Sequence, residues 1–300
     1  MLKKLPWLFI LLLLITSADL HAQRSSSMMR KSKTKGIERR ADWDWDWRFN
    51  SHSRPMIEMN YGIGKPEHKN IGSKFPELGM AEIKLGFNSV DELYDSNIID
   101  FEEQFFFASN LSTDLKIKKD DDPLTLDGDI WRFGFGLRDG YGYSMGAIAL
   151  IPYTQYSISW SQLNMKEFPD STLVEEINIL NDYHDSFRFG VSAEAGAKFE
   201  IASFISVNAA YEANVIFPRH LFWKHMGSVS LELIGISTID YFVDELIDSS
   251  PAIAPILNVL LKSGFMYGFY HLKKDKMYWP FDSGTLLTYE SIKIGTTFVF

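Results

Sequence analysis

The feature that most constrains the fold is a strict alternation of apolar with polar or small residues over long segments. In residues 187–199, large or apolar side chains occupy every second position, and residues 205–217 repeat the pattern. Because successive side chains of a β-strand point to opposite faces, each segment is predicted to be a strand with one apolar face. Soluble strands average about five or six residues, whereas a tilted membrane-spanning strand needs about 9–11. The pattern therefore favours a membrane barrel over a soluble β-sandwich.

The same period recurs between residue 55 and the end of the chain. It is clear in residues 57–64, 81–88 and 131–138, and less regular in residues 101–109. The mean hydropathy of −0.10 fits a membrane barrel, because each spanning strand is half polar, and argues against a bundle of apolar membrane helices. A net charge of −9 disfavours binding to nucleic acid, so no nucleic-acid partner is predicted. The absence of cysteine excludes disulfides and thiolate zinc sites.

The last ten residues carry a resemblance to a known class. One face of this segment holds Ile292, Ile294, Thr296, Phe298 and Phe300, and the chain stops on that last aromatic ring. The segment resembles the closing strand of a bacterial outer-membrane β-barrel, whose terminal phenylalanine is part of the signal read by the barrel-assembly machinery. The resemblance covers most of residues 55–300 by pattern and points to no individual protein. It implies the outer membrane of a Gram-negative bacterium, contact with outer-membrane lipid, and Phe298 and Phe300 as an assembly signal.

The N-terminal region is predicted to consist of a signal peptide followed by a flexible arm. Lys3 and Lys4 precede an apolar core of about ten residues, too short for a spanning helix, so residues 1–22 are interpreted as a cleaved signal peptide. Residues 23–54 form a predicted flexible arm, because their first part is basic and serine-rich. Aspartates alternate with tryptophans at 42–47, and the indoles either lie at a membrane interface or belong to a periplasmic strand or tether.

The strand count depends on residues 218–283. Residues 238–262 are predicted to hold a helical insertion, and residues 229–233 and 265–269 are possible flanking strands. With both strands the barrel has ten and the helices lie on the periplasmic side; with neither it has eight and the insertion is extracellular. Ten is favoured, because the alternative needs a connection of roughly 65 residues, which is unusually long. The predicted fold is an all-β antiparallel transmembrane β-barrel of about ten strands, within a range of eight to twelve.

The lengths of the connections predict which end of the barrel faces the periplasm. Short turns are predicted at Asp139-Gly140 and Ala202-Ser203 on the periplasmic side, and long connections at 110–127 and 152–183 outside. On the outer face of the barrel, Val191 and Ala195 are predicted to contact lipid.

The predicted inward faces carry charges of both signs. These candidate lumen or binding residues are Glu58, Glu82, Lys84, Arg132, Arg138, Arg188, Glu194, Lys198, Glu212 and Lys293. They either line a pore or binding pocket, or form a set of salt bridges that fills a narrow barrel.

The remaining candidate chemistry is weaker. His184, His220, His225 and His271 are candidates for hydrolase chemistry, but no His-x-Ser-Asn run like that of lipid A deacylases is present, nor a convincing pairing like the omptin acidic and His-Asp clusters. The run 120–122 holds three aspartates without the ligand spacing of a calcium loop. No metal site and no cofactor are predicted.

Three functions remain open. The leading one is a porin-like barrel that binds or passes a small or lipophilic molecule. The first alternative is a structural or interaction barrel with a filled lumen, and the second is a membrane-embedded hydrolase. The sequence carries no signal for the oligomeric state.

Overall fold

The computed structural model describes residues 53–73, 75–93, 97–116, 127–167 and 173–300. The predicted signal peptide, the arm up to residue 52 with its Asp-Trp run, and the aspartates at 120–122 lie outside the described residues.

The described residues form eight antiparallel strands that close into one barrel. Each strand pairs with its sequence neighbours, and β8 pairs with β1 to complete the ring. This confirms the predicted fold class. The strands are β1 (Arg54–His68), β2 (Leu78–Glu92), β3 (Ile98–Ser112), β4 (Asp127–Met145), β5 (Ile148–Glu167), β6 (Arg188–Ala202), β7 (Ile205–Ile216) and β8 (Leu287–Val299).

Three α-helices accompany the described strands. Helix α1 (Val174–Asn181) lies between β5 and β6, and helices α2 (Phe222–Ser249) and α3 (Ala254–Asp275) lie between β7 and β8. A short 3-10 helix, Thr113–Leu115, follows β3. Pro255 lies in the first turn of α3, where its missing N–H breaks no helical hydrogen bond.

The count of eight is the lower end of the predicted range, and the preference for ten is wrong. Both proposed extra strands, 229–233 and 265–269, are helical. Helix α2 carries apolar residues on nearly every side, so a subset of them alternates with period two without any strand being present. The helical insertion spans 222–275 and is longer than the predicted 238–262.

One predicted turn and one predicted loop are also wrong. Asp139 and Gly140 lie inside β4, and the turn comes at Gly146, whose φ of 78° suits glycine. A Cβ at Gly140 would lie 2.3 Å from the Pro152 carbonyl oxygen, so this glycine permits close packing against β5. Strand β5 itself runs through the first part of the segment predicted as the loop 152–183. The short turn after Ala202 is confirmed.

The connections divide into two kinds. Short ones follow β2, β4 and β6, and β1 begins and β8 ends at the same end of the barrel, here called the short-turn end. The connections after β1, β3, β5 and β7 are longer and lie at the opposite end, here called the long-loop end. Bacterial barrels place short turns in the periplasm and long loops outside the cell.

Polarity is inverted relative to a soluble barrel. The inward positions of the strands hold buried Lys, Arg, Glu and Asn side chains. The outward positions hold exposed large apolar side chains, among them Ile63, Ile83, Leu85, Phe106, Trp131, Phe133, Ile292 and Ile294. A soluble barrel buries its apolar face, whereas an outward apolar band is the pattern of a barrel surrounded by lipid.

Candidate functional site

The middle of the barrel interior is filled by charged side chains. Within the described chain, five cations and five carboxylates meet there, and none is more than 5% exposed. We call this set the interior charge network. Its members are Lys84, Arg132, Arg138, Lys198, Lys293, Glu58, Glu82, Glu103, Glu194 and Glu212. Equal numbers of each sign leave the network formally neutral.

Arg138 of β4 is the hub of one half of the network. Its guanidinium donates to both carboxylate oxygens of Glu58, at 2.7 and 2.9 Å, and to Glu103 at 2.6 Å. The guanidinium carbon also lies 4.3 Å from the centre of the Tyr153 ring. Such two-pronged, charge-assisted bonds are stronger and more directional than bonds between neutral groups.

Arg132 and Lys293 organise the other half. Arg132 donates to Glu82 and Glu212, each at 2.8 Å. Lys293 of β8 reaches Glu82 at 2.9 Å, Glu194 at 2.7 Å and Glu212 at 2.9 Å. Because Arg138 also lies 3.3 Å from Glu194, the two halves share that carboxylate and form one network across the lumen.

Glycines in β4 make room for these large side chains. Gly136 lies between the two arginines on the inward face, and a Cβ there would lie 2.6 Å from the Phe105 ring. The glycine lets that ring lie across the lumen, where its centre is 4.7 Å from the Lys84 ammonium. The Arg-Gly-Gly-Arg alternation of β4 is therefore a packing pattern.

Apolar layers close the interior on both sides of the network. At the long-loop end, Leu180 of α1 and Tyr183 pack with Met80, Leu111 and Leu287. Toward the short-turn end, buried apolar side chains fill the barrel: Met56, Ile99, Phe101, Phe105, Ile151 and Val299. The described lumen is thus a stack of apolar, charged and apolar layers.

Nine of the ten predicted lumen residues belong to the network. Arg188 does not, because it lies at the start of β6, is only partly buried, and its Nε atom is buried without a hydrogen-bond partner. Glu103 is a network member that sequence reasoning missed. Aromatic residues occupy both faces of β3, so its period-two pattern is hard to recognise. Phe101, Glu103 and Phe105 nevertheless lie at every second position, on the inward face.

The predicted assembly signal lies on the last strand. Phe298 faces outward and is half-buried, whereas Phe300 is 70% exposed and its amide donates to the Pro55 carbonyl at 2.9 Å. Its recognition by an assembly machinery remains a prediction.

The candidate catalytic histidines lie among aromatic rings. His220 and His225 have ring centres 5.0 Å apart, and both pack on Phe189. Partial burial lowers the pKa of His220. His271 packs on Tyr267 at 4.5 Å, and His184 contacts Asp185. His220 and His271 are exposed, and His184 and His225 are partly buried.

The second notable feature is a helical hairpin on the outer wall, formed by α2 and α3 and here called the outer hairpin (residues 222–275). Its tip lies near the short-turn end, where the Tyr143 hydroxyl donates to the Ala252 carbonyl at 2.7 Å. Helix α3 then returns to the long-loop end, where Asp275 pairs with Lys69 at 2.6 Å. The outer hairpin therefore extends along the whole height of the barrel.

Polar contacts hold the outer hairpin together and to the wall. Lys262 of α3 lies between Asp139 of β4, at 2.5 Å, and Asp240 of α2, at 2.6 Å. Lys273 pairs with Glu232 at 2.6 Å between the two helices. Asp139 is an outward-facing carboxylate on a largely apolar wall, and the lysine supplies its counter-charge.

The outer hairpin also corrects the predicted lipid contacts. Val191 faces outward as predicted but is only 4% exposed, because it packs in a cluster with Tyr270, Met277 and Tyr278. Ala195 is partly buried and lines a crevice beside α3. Among the described helices, α2 is long and apolar enough to cross a membrane, judged by length and composition.

Comparisons with known proteins give structural similarity only. No protein-family model matches the chain, and no curated protein does. The crystal structure of Neisserial surface protein A (NspA) is 9% identical, with a TM-score of 0.40 over 82% of this chain and 97% of that one. Ail of Yersinia pestis, in complex with the heparin analogue sucrose octasulfate, is 8% identical, with a TM-score of 0.32 over 83% of this chain and 99% of that one.

The strand pairing and the inverted polarity give the class directly. A closed antiparallel barrel with an apolar outer band and a charged interior is an outer-membrane β-barrel, and its location is the outer membrane.

Proposed function

We propose that the protein is a structural or interaction barrel whose lumen is sealed, rather than a pore. The interior charge network supports this proposal. A solute or ion that crosses the described lumen must separate several buried ion pairs at once. Breaking one buried pair costs about 3–5 kcal/mol, so passage through the network is strongly opposed.

The sealed interior leaves the outer surfaces as the working parts. The long-loop end, with α1 packed over it, faces outside the cell in the usual orientation of Gram-negative barrels. The outer hairpin contacts the barrel wall on one side and lipid on the other. Lipid and the barrel-assembly machinery remain proposed partners, and the aromatic surroundings of the histidines favour this function over the hydrolase.

Planar-bilayer conductance tests the proposal. The full chain, refolded into detergent and added to a bilayer, is expected to give no stable conductance steps. Arg188→Ala is the matched control, because that arginine lies outside the network, and it should behave as the unaltered chain does. Arg132→Ala removes a network arginine and should produce transient openings. Stable ohmic steps from the unaltered chain would exclude a sealed lumen.

A further inference from the structure

The exposed side of the outer hairpin carries no charge over a bilayer-sized length. Between Met226 and Phe242 of α2, the exposed side chains are apolar, aromatic or hydroxylic, and the two carboxylates in that span turn inward. This is about 25 Å of helix at 1.5 Å per residue, close to the height of the apolar band of an outer-membrane barrel. The exposed side of the outer hairpin therefore matches the hydrocarbon region in length and polarity.

A crevice of about 360 Å³ separates α3 from the wall formed by β6 and β7. Small side chains on both sides leave this gap. Its walls include Ala193, Ala195 and Ala213 of the barrel and Ser263, Gly264 and Met266 of the helix. A Cβ at Gly264 would meet no atom within 4 Å, so space remains next to the helix backbone itself.

The side of the crevice toward β8 is polar. Tyr211 and Tyr267 line it with ring centres 6.0 Å apart. The Tyr211 hydroxyl is hydrogen-bonded with Glu290, which pairs with Lys274 at 3.1 Å. Lys274 lies near the end of α3, toward the long-loop end. The crevice is thus apolar on the side of β6, with hydrogen-bonded polar groups on the side of β8.

We propose that this crevice binds one acyl chain of a phospholipid, which lies between the alanines of β6 and β7 and helix α3, beside Tyr211 and Tyr267. The inference rests on the outer-membrane location of the barrel. An apolar crevice that opens onto hydrocarbon gains dispersion contacts when a chain fills it, and it offers water few partners. The crevice is continuous with the lipid-facing band, so lipid is the molecule that reaches it.

Photolabelling in vesicles tests the site. The full chain is reconstituted in phosphatidylethanolamine and phosphatidylglycerol that contain a phosphatidylethanolamine with a diazirine on one acyl chain. Labelled residues are then mapped by mass spectrometry. Labelling at Ala195 and Met266 should exceed labelling at Ile294, which marks the ordinary lipid-facing band.

Two glycines of α3 provide matched variants. Gly264→Leu fills the crevice and should reduce labelling at Ala195 and Met266 several-fold, while labelling at Ile294 is unchanged. Gly268→Leu is also made in open space but outside the crevice lining, and should retain the crevice label. Equal labelling in the two variants, or crevice labelling no higher than at Ile294, would overturn the site.

The same experiment separates the site from the membrane location. Loss of labelling at Ile294 itself would contradict the membrane location, whereas loss at the crevice alone contradicts only the lipid site. Stronger crevice labelling by a diazirine-bearing lipopolysaccharide than by the phosphatidylethanolamine probe, at equal mole fraction in the same vesicles, would overturn the assignment to a phospholipid.

Discussion

At the scale of single residues, the interior depends on charges that have no route back to water. Arg138 is fully buried and contacts three carboxylates, so its removal leaves several negative charges close together in a low-dielectric interior. Arg188, which is partly exposed at the start of β6, contacts none of these carboxylates.

Arg138→Met is therefore expected to lower the free energy of unfolding by about 3–5 kcal/mol. The measurement is urea-induced unfolding from lipid vesicles. Arg188→Met serves as the control, because it removes the same charge outside the network and should change stability by less than about 1 kcal/mol. Equal losses in the two variants would contradict the network.

At the long-loop end, one carboxylate joins helix α1 to the segment that follows β1. Glu176 of α1 accepts hydrogen bonds from the Gly72 amide, at 2.8 Å, and from the Ser73 hydroxyl. The hydrogen bond from Ser73 has the largest effect on the pKa of Glu176. Together these bonds lower that pKa from its ordinary 4.5. Because the pKa is lowered in the folded chain, the stabilisation is present above pH 4.5 and is lost as the pH falls through the folded pKa.

Hydrogen exchange of the Gly72 amide measures this contact. After correction for intrinsic exchange, protection should be constant above pH 4.5 and should fall below it. Glu176→Gln should reduce protection and remove the pH dependence, while Glu175→Gln, on the exposed side of α1, should change neither. A pH profile unaffected by Glu176→Gln would refute the contact.

At the scale of elements, the outer hairpin is held in register by Lys262. Removal of its ammonium group leaves Asp139 and Asp240 opposite each other without a counter-charge. Two carboxylates this close to each other repel when the counter-charge between them is lost.

Lys262→Met should therefore loosen the outer hairpin by about 3 kcal/mol while the barrel stays closed. Limited proteolysis of detergent-solubilised protein near the hairpin tip measures this. Replacing both carboxylates as well, by Asp139→Asn and Asp240→Asn, should restore much of the protection. Lys276→Met, at an exposed lysine just after α3, is the control. Equal cleavage of the Lys262 and Lys276 variants would show that the ion pairs of Lys262 do not anchor the outer hairpin.

How far the sequence predicts these elements depends on whether one face or two are covered. Strands such as β6 and β7 have one lipid-facing or hairpin-facing side and one polar side, so period two gives their span and facing. Helix α2 packs against protein on one side and exposes apolar side chains on the other, so it is apolar nearly all round, and short strand-like patterns appear within it. The outer hairpin itself is invisible in a strand pattern, because a covered outer wall and a lipid-facing wall are equally apolar.

The site follows the same logic. Alternation places nine network residues on the inward faces, since facing is a local property. Their neutral, interlocked pairing depends on how strands distant in sequence meet across the lumen, which spacing does not fix. The prediction for Arg188 is wrong because this residue lies at the very start of β6, outside the network. Glu103 is missed because aromatic residues occupy both faces of β3.

At the scale of the whole molecule, the described chain forms an eight-stranded barrel with two long helices along its outer wall. The two topologies expected from sequence paired eight strands with an external insertion and ten strands with a periplasmic one. The structure combines them differently: the insertion leaves the barrel at the long-loop end, but its tip returns to the short-turn end along the outer wall.

The accessibility of the hairpin tip in intact cells tests this arrangement most directly. Single cysteines at Ser249, near the tip, and at Lys276, beyond α3, are probed with a membrane-impermeant maleimide in a chain that has no native cysteine. Ala147, in the β4–β5 turn, marks the short-turn side. Lys276→Cys is expected to be labelled in intact cells, whereas Ser249→Cys and Ala147→Cys should be labelled only after the outer membrane is opened. Labelling of Ser249→Cys in intact cells that leave Ala147→Cys protected would contradict a hairpin that crosses the membrane beside the barrel.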